Sequence, residues 1–565
     1  MDQNLVTQMS GNKESGKKTT RRGYLKYVGG AVGAAVVAAA GYGIYETTKP
    51  PPTPPSTPTI TAATTIPPAQ PITFRLAYST EVPTIDPADG STVNLLLQSP
   101  VYDTLVRPRP GTMELDEPVL ATSWDISPDG KTYTFKLRQG AKFHDGTLLT
   151  AEAVKFSAER TMKIGKMSST FLGPLDTVDV IDDYTVRFNL KEPYVPFLAA
   201  LSSPAGLAIV SPTTVKKHEI EGDLAQEWLG MHEAGSGPYV LENWVREQNV
   251  SFAKFKEYWR GWEGKHIDNI VGYFVREEAT RKLMLLNGDV DWAEDLIPEN
   301  ADEIAKRPGF VVQYDYGAGI CSLVLNLRRA FSDANLRKAV SYAFDYKSAI
   351  QGIWMGHADQ AQGPLPYNSF GHKDDLTIYS RDLDKAKDYM KKSKYSPGQL
   401  TLQVIYNVGY DWKAKTAQLF KSNMNDIGIN VEIVETTWPV LWDSLNTPTA
   451  PYDVWVYFNS LDIPDPFMVL LRSYHSDPKK GLYNKGYKNS KVDELLNSAA
   501  KSVDRAEYAS LLREIQSIVV EEAAQVFLYD LKLPRTYRDY LKGFVPDAAN
   551  VFAYNYYDMY IEGRD

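Results

Sequence analysis

Cysteine and histidine are scarce in this chain. Its 565 residues include one cysteine, Cys321, and seven histidines. A single cysteine excludes an internal disulfide and any metal site built from cysteine alone, and it leaves no cysteine near the N-terminus to carry a lipid. His144, in a His-Asp-Gly segment, has no second histidine at ligand spacing and predicts a structural turn. The acidic run Asp289–Asp295 lacks the glycine and the glutamate that an EF-hand calcium loop requires, and it predicts a solvated turn. Neither a metal nor a cofactor is therefore expected.

Common catalytic motifs are absent as well. The sequence contains no G-x-S-x-G, H-E-x-x-H, G-x-x-x-x-G-K-[ST] or G-x-G-x-x-G. These motifs position a nucleophile, a zinc ion, a phosphate group and a dinucleotide, respectively. Their absence argues against enzymes of those classes. A secreted hydrolase of peptides or glycans that uses paired carboxylates is kept as an alternative.

Basic residues are in deficit over most of the chain. The formal net charge is −9, although the first fifty residues carry seven Lys/Arg against three Asp/Glu. The remainder therefore holds 54 basic and 67 acidic residues. A nucleic-acid partner would favour a basic stripe, so none is expected. The length predicts two or three lobes, and the 43% hydrophobic and 23% charged fractions are typical of a soluble globular protein.

A basic and weakly hydrophobic segment precedes this acidic body. Thr20-Arg21-Arg22-Gly23-Tyr24-Leu25-Lys26 resembles a twin-arginine export motif, and Tyr27–Tyr45 follows without a charge. A helix of about nineteen residues nearly spans a bilayer core. We therefore predict that residues 1–48 tether the protein to the outer side of the cell membrane, whereas cleavage near Ala38–Ala40 would release it. Residues 49–71, rich in proline and threonine, predict an extended linker.

The most informative stretch runs from Leu120 to Arg160. Pro128-Asp129-Gly130 predicts a turn. Thr132–Leu137 alternates apolar and polar residues, which predicts a half-buried strand. Thr150 is a suitable N-cap for the helix that follows, with Glu152 in its first turn. These signals alone predict strand, loop and helix in an α+β domain.

The same stretch also resembles a family signature. Its residues LATSWDISPDGKTYTFKLRQGAKFHDGTLLTAEAVKFS are similar to those of the extracellular solute-binding proteins of peptide-type ABC transporters, family 5. Thr84-Ile85-Asp86-Pro87, Gly235-Ser236-Gly237-Pro238-Tyr239 and Leu336-Arg337-Lys338-Ala339 are similar to further segments of that family. The resemblance extends over about residues 72–565. It implies a non-enzymatic, monomeric receptor that captures a solute and delivers it to a membrane permease with cytoplasmic ATPases.

The resemblance implies an α/β fold of the two-lobed periplasmic-binding-protein type (class II, Venus flytrap) with an additional smaller β-rich lobe. Such a protein closes around its ligand only as far as the ligand prefers the closed form. The chain is expected to cross between its large lobes near Leu323–Leu327. The implied ranges are 72–115 for the first part of lobe I, 116–233 for the small lobe II, 234–320 for the second part of lobe I, 321–524 for lobe III and 525–565 for the return to lobe I.

The resemblance also implies a set of ligand-binding residues. Peptide-binding members carry W-x-A-D-Y-x-x-P, whose aspartate holds the peptide's amino terminus, and the similar segment YDVWVYFNSLDIPDP places that aspartate at Asp462. Phe458, Asn459 and Ser460 would offer backbone groups to an extended peptide. The other implied residues are Trp438 and Trp442, from a cleft-lining position, and Ser91, Thr92 and Val93, from the segment after the Asp-Pro loop. Packing within a helix is the alternative for Trp442, and an ordinary loop is the alternative for residues 91–93.

Two positions depart from the peptide-binding pattern. Asn459 replaces the usual tryptophan, and Val456 stands where an oligopeptide binder carries an arginine for the peptide's carboxylate. The C-terminus of a bound peptide would therefore be recognised elsewhere or not at all. Other family members bind oligosaccharides on aromatic rings, and 35 tyrosines and 11 tryptophans keep that class of ligand open.

Overall fold

The computed structural model describes residues 70–376 and 378–564. The predicted anchor over residues 1–48, with its twin-arginine motif, and nearly all of the predicted linker lie outside these residues. Among the helices that the structure describes, none combines the length and the apolar character needed to cross a membrane.

The described chain alternates strands and helices from end to end. The strands are β1 Thr73–Tyr78, β2 Val106–Arg107, β3 Glu117–Pro118, β4 Ala121–Ile126, β5 Thr132–Leu137, β6 Leu175–Asp182, β7 Thr185–Leu190, β8 Tyr239–Val245, β9 Asn249–Lys254, β10 Asn269–Phe274, β11 Trp292–Ala293, β12 Phe310–Leu325, β13 Ala358–Gln360, β14 Thr401–Asn407, β15 Asn430–Thr436, β16 Val454–Ser460, β17 Gln525–Arg538, β18 Leu541–Lys542 and β19 Tyr560–Ile561. The α-helices are α1 Leu95–Gln98, α2 Ala151–Ile164, α3 Met167–Phe171, α4 Phe197–Ala200, α5 Pro204–Leu207, α6 Pro212–His218, α7 Gln226–Leu229, α8 Glu278–Asn287, α9 Pro298–Ala305, α10 Ala334–Ala343, α11 Tyr346–Gly352, α12 Leu383–Lys392, α13 Asp411–Asn425, α14 Trp438–Asn446, α15 Phe467–Tyr474, α16 Ser490–Lys501 and α17 Arg505–Glu521.

One large mixed sheet connects most of these strands. Its order is β15-β14-β16-β12-β17-β11-β1-β10-β9-β8, with β13 also paired to β17. The two long strands β12 and β17 are antiparallel neighbours at its centre, and they pair along both halves of their length. One half of β12 also pairs with β16, while the opposite half of β17 pairs with β11. The central strand pair thus belongs to both halves of the sheet.

A bulge interrupts the central pair at its midpoint. Tyr316 is opposite Lys532 and Ile320 is opposite Asp530, so β12 has three residues between these positions where β17 has only Leu531. Extra residues on one strand bend it and increase the local twist. The bulge is therefore where the two halves of the sheet change direction relative to each other.

The signature stretch of the sequence forms a second, smaller sheet. It is antiparallel, with the order β4-β5-β7-β6, and β5 has the bounds predicted for its strand. The predicted helix follows as α2, and Thr150 occupies its N-cap without a side-chain hydrogen bond. The buried core of this sheet is continuous with α15 and α17, because Tyr194 packs edge-on against Phe467 at 6.2 Å between ring centroids. The division into lobes I, II and III stays a prediction.

Two buried ion pairs join motif segments that are distant in sequence. Arg160 of α2 donates to both oxygens of Asp86, each at 2.8 Å, and both side chains are buried. His144 lies 2.8 Å from Glu233 through Nδ1 and 2.9 Å from the Gly237 carbonyl through Nε2. Both of these partners accept hydrogen bonds, and only the doubly protonated ring donates from both nitrogens. His144 is thus a structural residue, as predicted.

The His144–Glu233 pair predicts a pH-dependent stability. Burial by itself lowers the pKa of His144, but the Glu233 carboxylate outweighs it, so the net pKa lies above the ordinary 6.5. A raised folded-state pKa stabilises the fold fully below pH ~6.5, and this contribution is lost as the pH rises through the folded-state value. His144→Gln should therefore reduce the free energy of unfolding by about 1–3 kcal/mol near pH 6 and by less near pH 8. Urea unfolding at both pH values measures this, and the pH-dependent part should vanish in a Glu233→Gln background.

A close backbone approach beside the bulge predicts a second effect. A Cβ atom added at Gly319 would lie 2.6 Å from both the Asn459 carbonyl oxygen and the Ser460 Cα, and neither backbone atom can move aside. Gly319→Ala should therefore destabilise the fold by about 1–3 kcal/mol. Gly317→Ala is the matched control, because its Cβ would meet only side-chain atoms, the nearest being Leu533 Cδ1 at 3.2 Å. Equal midpoints of urea unfolding for the two variants would contradict this prediction.

Candidate functional site

A cavity lies beside the bulge of the central strand pair. It spans about 950 Å³, including space that is open to solvent, and Leu531 and Leu533 of β17 form part of its wall. All nine residues predicted as ligand-binding line this one cavity: Ser91, Thr92, Val93, Trp438, Trp442, Phe458, Asn459, Ser460 and Asp462. The structure therefore brings together segments that are more than 350 residues apart in sequence. Whether these residues bind a ligand stays a prediction.

The C-terminal end of β16 forms one wall of the cavity. Phe458, Asn459 and Ser460 are the last residues of that strand, where it is paired with Cys321, Ile320 and Gly319 of β12. Val456, two residues earlier, is fully buried and packs in the core beneath the sheet. Val456 itself does not line the cavity.

Asp462 follows β16 and is already engaged with a buried arginine. Its Oδ2 accepts a hydrogen bond from Arg472 Nη1, and Arg472 also donates to Thr170 Oγ1 at 3.0 Å. Burial raises the pKa of Asp462, while the Arg472 charge acts in the opposite direction. Within the described residues, Oδ1 of Asp462 has no hydrogen-bond partner. A carboxylate accepts several hydrogen bonds, so Oδ1 is available to a donor from the cavity.

The two predicted tryptophans lie on the cavity side of α14. The residues that α14 buries in the core are Leu441, Ser444 and Leu445. Trp438 and Trp442 are half-buried and contact each other at 5.5 Å between ring centroids. Trp438 is also nearly parallel to Tyr457 at 6.5 Å. All three rings line the cavity, while Tyr457 also belongs to a small hydrophobic cluster against which Trp438 packs.

Ser91, Thr92 and Val93 reach the cavity from the far half of the sheet. They form a short turn of 3₁₀-helix that leads into α1, and Val93 is buried. Asp86, five residues before Ser91, is fixed by the ion pair with Arg160 described above. The ion pair thereby connects the loop before this 3₁₀ turn to α2, the helix that follows β5.

The acidic run Asp289–Asp295 is only in part the predicted solvated turn: Asp289 is exposed, but the prediction was wrong for Asp291 and Glu294, which are buried. Asp291 is fully buried and accepts hydrogen bonds from Arg75 and Tyr540. Glu294 is buried beside Tyr554, and burial raises its pKa to about 7. Asp295 lines the cavity in a left-handed conformation, with φ of 47°, and accepts a hydrogen bond from Ser79 Oγ. Asp291 and Glu294 are buried against arginine and tyrosine partners that are distant in sequence. No local signal in the sequence indicates those partners.

The N-terminal turn of α13 is a part of the site that was not predicted from the sequence. Tyr410, Trp412 and Lys413 all line the cavity, and Asn407 at the end of β14 completes this part of the wall. The side chain of Lys413 is buried, and its Nζ donates to Asn407 Oδ1 at 2.6 Å. The only available signal was the strand-to-helix connection itself, since parallel strands of α/β sheets place ligand sites at their carboxyl ends.

Comparisons with known proteins agree with this geometry. Residues 117–481 match the family model of bacterial extracellular solute-binding proteins, family 5 Middle. The probable D,D-dipeptide-binding periplasmic protein DdpA of Escherichia coli is 32% identical over 449 residues, which cover 77% of this chain and 84% of DdpA.

Two solved structures have the same fold. The periplasmic binding protein DppA of Helicobacter pylori, in complex with the peptide STSA, superposes with a TM-score of 0.78 at 26% identity, covering 87% of this chain and 98% of DppA. AgaA from A. tumefacien R10, in complex with agropinic acid, gives 0.76 at 25% identity, with 87% and 99% covered. The predicted periplasmic-binding-protein fold is thus confirmed. The family match covers more than half of the chain, and DdpA exceeds 30% identity over most of both sequences. The chain therefore belongs to family 5 of the bacterial extracellular solute-binding proteins.

Proposed function

We propose that this chain captures short peptides outside the cytoplasm and delivers them to the permease of an ABC importer. The observation that carries the proposal is the convergence of all nine implied ligand-binding residues on one cavity next to the central strand pair. Ligand sites lie preferentially between the separate parts of a protein, as this cavity does between the two halves of the sheet. The relative DdpA and the DppA complex bear names that refer to a dipeptide and a peptide.

Asp462 holds the peptide's free amino group in this proposal. Arg472 occupies only Oδ2 of the carboxylate, which leaves Oδ1 for the ammonium. The end of β16 then supplies backbone groups to an extended peptide, a mode of binding that is independent of the peptide's side chains. The aromatic wall of Trp438, Trp442 and Tyr457 packs against those side chains.

Ligand capture is coupled to closure at the bulge. Because β12 and β17 run through both halves of the sheet, a change of twist at Gly317–Gly319 moves the two cavity walls relative to each other. A ligand that contacts both walls favours the closed form, which the permease then recognises. The protein acts as a monomeric binding component rather than an enzyme, and residues 1–48 tether it to the membrane.

Oligosaccharide capture is the second candidate, and the half-buried rings of Trp438 and Trp442 favour it. Thermal unfolding of the purified protein against two ligand pools, short peptides and oligosaccharides, separates the candidates. A ligand at a hundred times its Kd stabilises the fold by about 2.7 kcal/mol, which shifts the midpoint measurably. We expect a shift with peptides alone; a shift with oligosaccharides alone would contradict the peptide assignment. Chromatography of both pools after incubation tests for hydrolysis, and product formation would contradict the receptor assignment.

The amino anchor makes a separate prediction. Asp462→Asn should weaken binding of a peptide with a free amino terminus by about 10- to 100-fold, because it removes a charge-assisted hydrogen bond. The N-acetylated form of the same peptide should lose little affinity. Isothermal titration measures both, with Asp443→Asn on the exposed face of α14 as the matched control. Equal weakening of the free and acetylated peptides would exclude this role for Asp462.

A further inference from the structure

Lys413 is a buried cation without a carboxylate partner among the described residues. Several other cations of the protein interior are compensated: Arg75 and Arg160 pair with aspartates, Arg472 pairs with Asp462, and Lys485 donates to two backbone carbonyls. In the described part of the chain, no ion pair within 4.0 Å includes Lys413, and its one hydrogen bond is to an amide oxygen. Lysine is almost never fully buried unless it is paired.

The surroundings of the ammonium group leave hydrogen-bonding capacity unused. An ammonium has three N–H donors, and Asn407 accepts one of them. The Nζ atom also lies 4.6 Å from the ring centroid of Tyr410 and 5.4 Å from that of Trp412, which stabilise a positive charge but accept no strong hydrogen bond. Burial lowers the pKa of Lys413 to about 8, with the charge of Asp295 acting against this shift. An anion that enters the cavity would offset the free-energy cost of burying the positive charge of Lys413.

The backbone around Lys413 favours the same kind of ligand. Lys413 is the third residue of α13, whose N-cap, Tyr410, provides no side-chain hydrogen bond to the helix. The first N–H groups of a helix and its dipole attract negative charge, and the exposed Asp411 already supplies one carboxylate in this first turn. Tyr410, Trp412 and Lys413 all border the cavity, so the uncapped end of this helix and the ammonium are on the same wall.

We infer that Lys413 is the residue that recognises a carboxylate of the ligand, and that the natural ligands of this cavity carry a free carboxylate. This inference rests on the proposed function and deepens it. Val456, at the position where an arginine is found in oligopeptide binders, is buried away from the cavity. The carboxylate of a short peptide therefore binds to Lys413 of α13 instead of to a residue of β16. With Asp462 on the same cavity, the site selects a zwitterion.

The experiment compares carboxylates with their amides. Isothermal titration of the full-length protein uses L-alanyl-L-alanine, D-alanyl-D-alanine and trialanine, each with its C-terminal amide. It also uses the non-peptide dicarboxylate succinate with its diamide, and a neutral oligosaccharide pool. We expect the free acids to bind about 10- to 100-fold more tightly than the amides. This comparison needs no variant, so it does not depend on whether a substituted protein folds.

Three variants then assign the effect to Lys413. Lys413→Gln should bind acid and amide with similar affinity, and Lys413→Arg should retain a preference for the acid because it retains the charge. Lys415→Gln, an exposed lysine on the same helix, should behave like the unsubstituted protein. Thermal unfolding of each unliganded variant verifies that it is folded.

The outcomes separate the inference from the proposed function. If peptide acids and amides bind equally, or if Lys413→Gln keeps the preference for the acid, the carboxylate role is overturned while peptide capture stands. If only the non-peptide carboxylate binds and depends on Lys413, the carboxylate role holds and peptide capture is overturned. Binding of neutral oligosaccharides alone, or of no carboxylate at all, overturns both.

Discussion

The antiparallel pairing of β12 with β17 is the constraint on which the other features depend. Backbone N–H and C=O groups at the centre of a protein must pair, so two strands of 16 and 14 residues that cross the whole molecule stay together over their length. The bulge at Gly317–Gly319 is the one place where the described pair leaves several residues of one strand unmatched by the other. Leu531, the residue of β17 opposite the bulge, lines the cavity, so the cavity lies beside the irregular part of the pair.

The electrostatics of the cavity follow from how its charges are compensated. Asp462 is held by Arg472, and Arg472 is in turn held by Thr170 from the segment that follows α2. This chain of contacts joins α3 to the cavity wall. Lys413 has no such partner in the described chain, and a buried charge without a partner is costly. Lys413 is thus a buried cation on the cavity wall without an acidic partner among the described residues.

Local signals in the sequence predict some elements well and others poorly. The strands Thr73–Tyr78 and Thr185–Leu190 have the bounds that their alternating residues predict, because each has one buried face. The apolar residues Leu512, Ile515, Val519 and Ala523 predict a helix over Val503–Val526. The helix α17 instead ends at Glu521, because Ala523 adopts a left-handed conformation with φ of 48° and Gln525 begins β17. An alanine does not indicate locally that a helix ends, so the end of α17 is set by the pairing of β17 within the sheet.

The sequence by itself determined the family, the fold class and the nine residues that meet at the cavity. The family and the nine residues follow from the resemblance of motif segments to known members, and some of those motif residues, such as Arg160 and Asp86, hydrogen-bond to each other in the fold. Only the tertiary structure decided which charges are buried and which of them are paired. The residues next to Asp291 and Lys413 in sequence do not indicate that either charge is buried. In the structure, Asp291 is paired with Arg75, whereas Lys413 lines the cavity. Burial and pairing depend on partners hundreds of residues away, and no pattern within a short stretch records them.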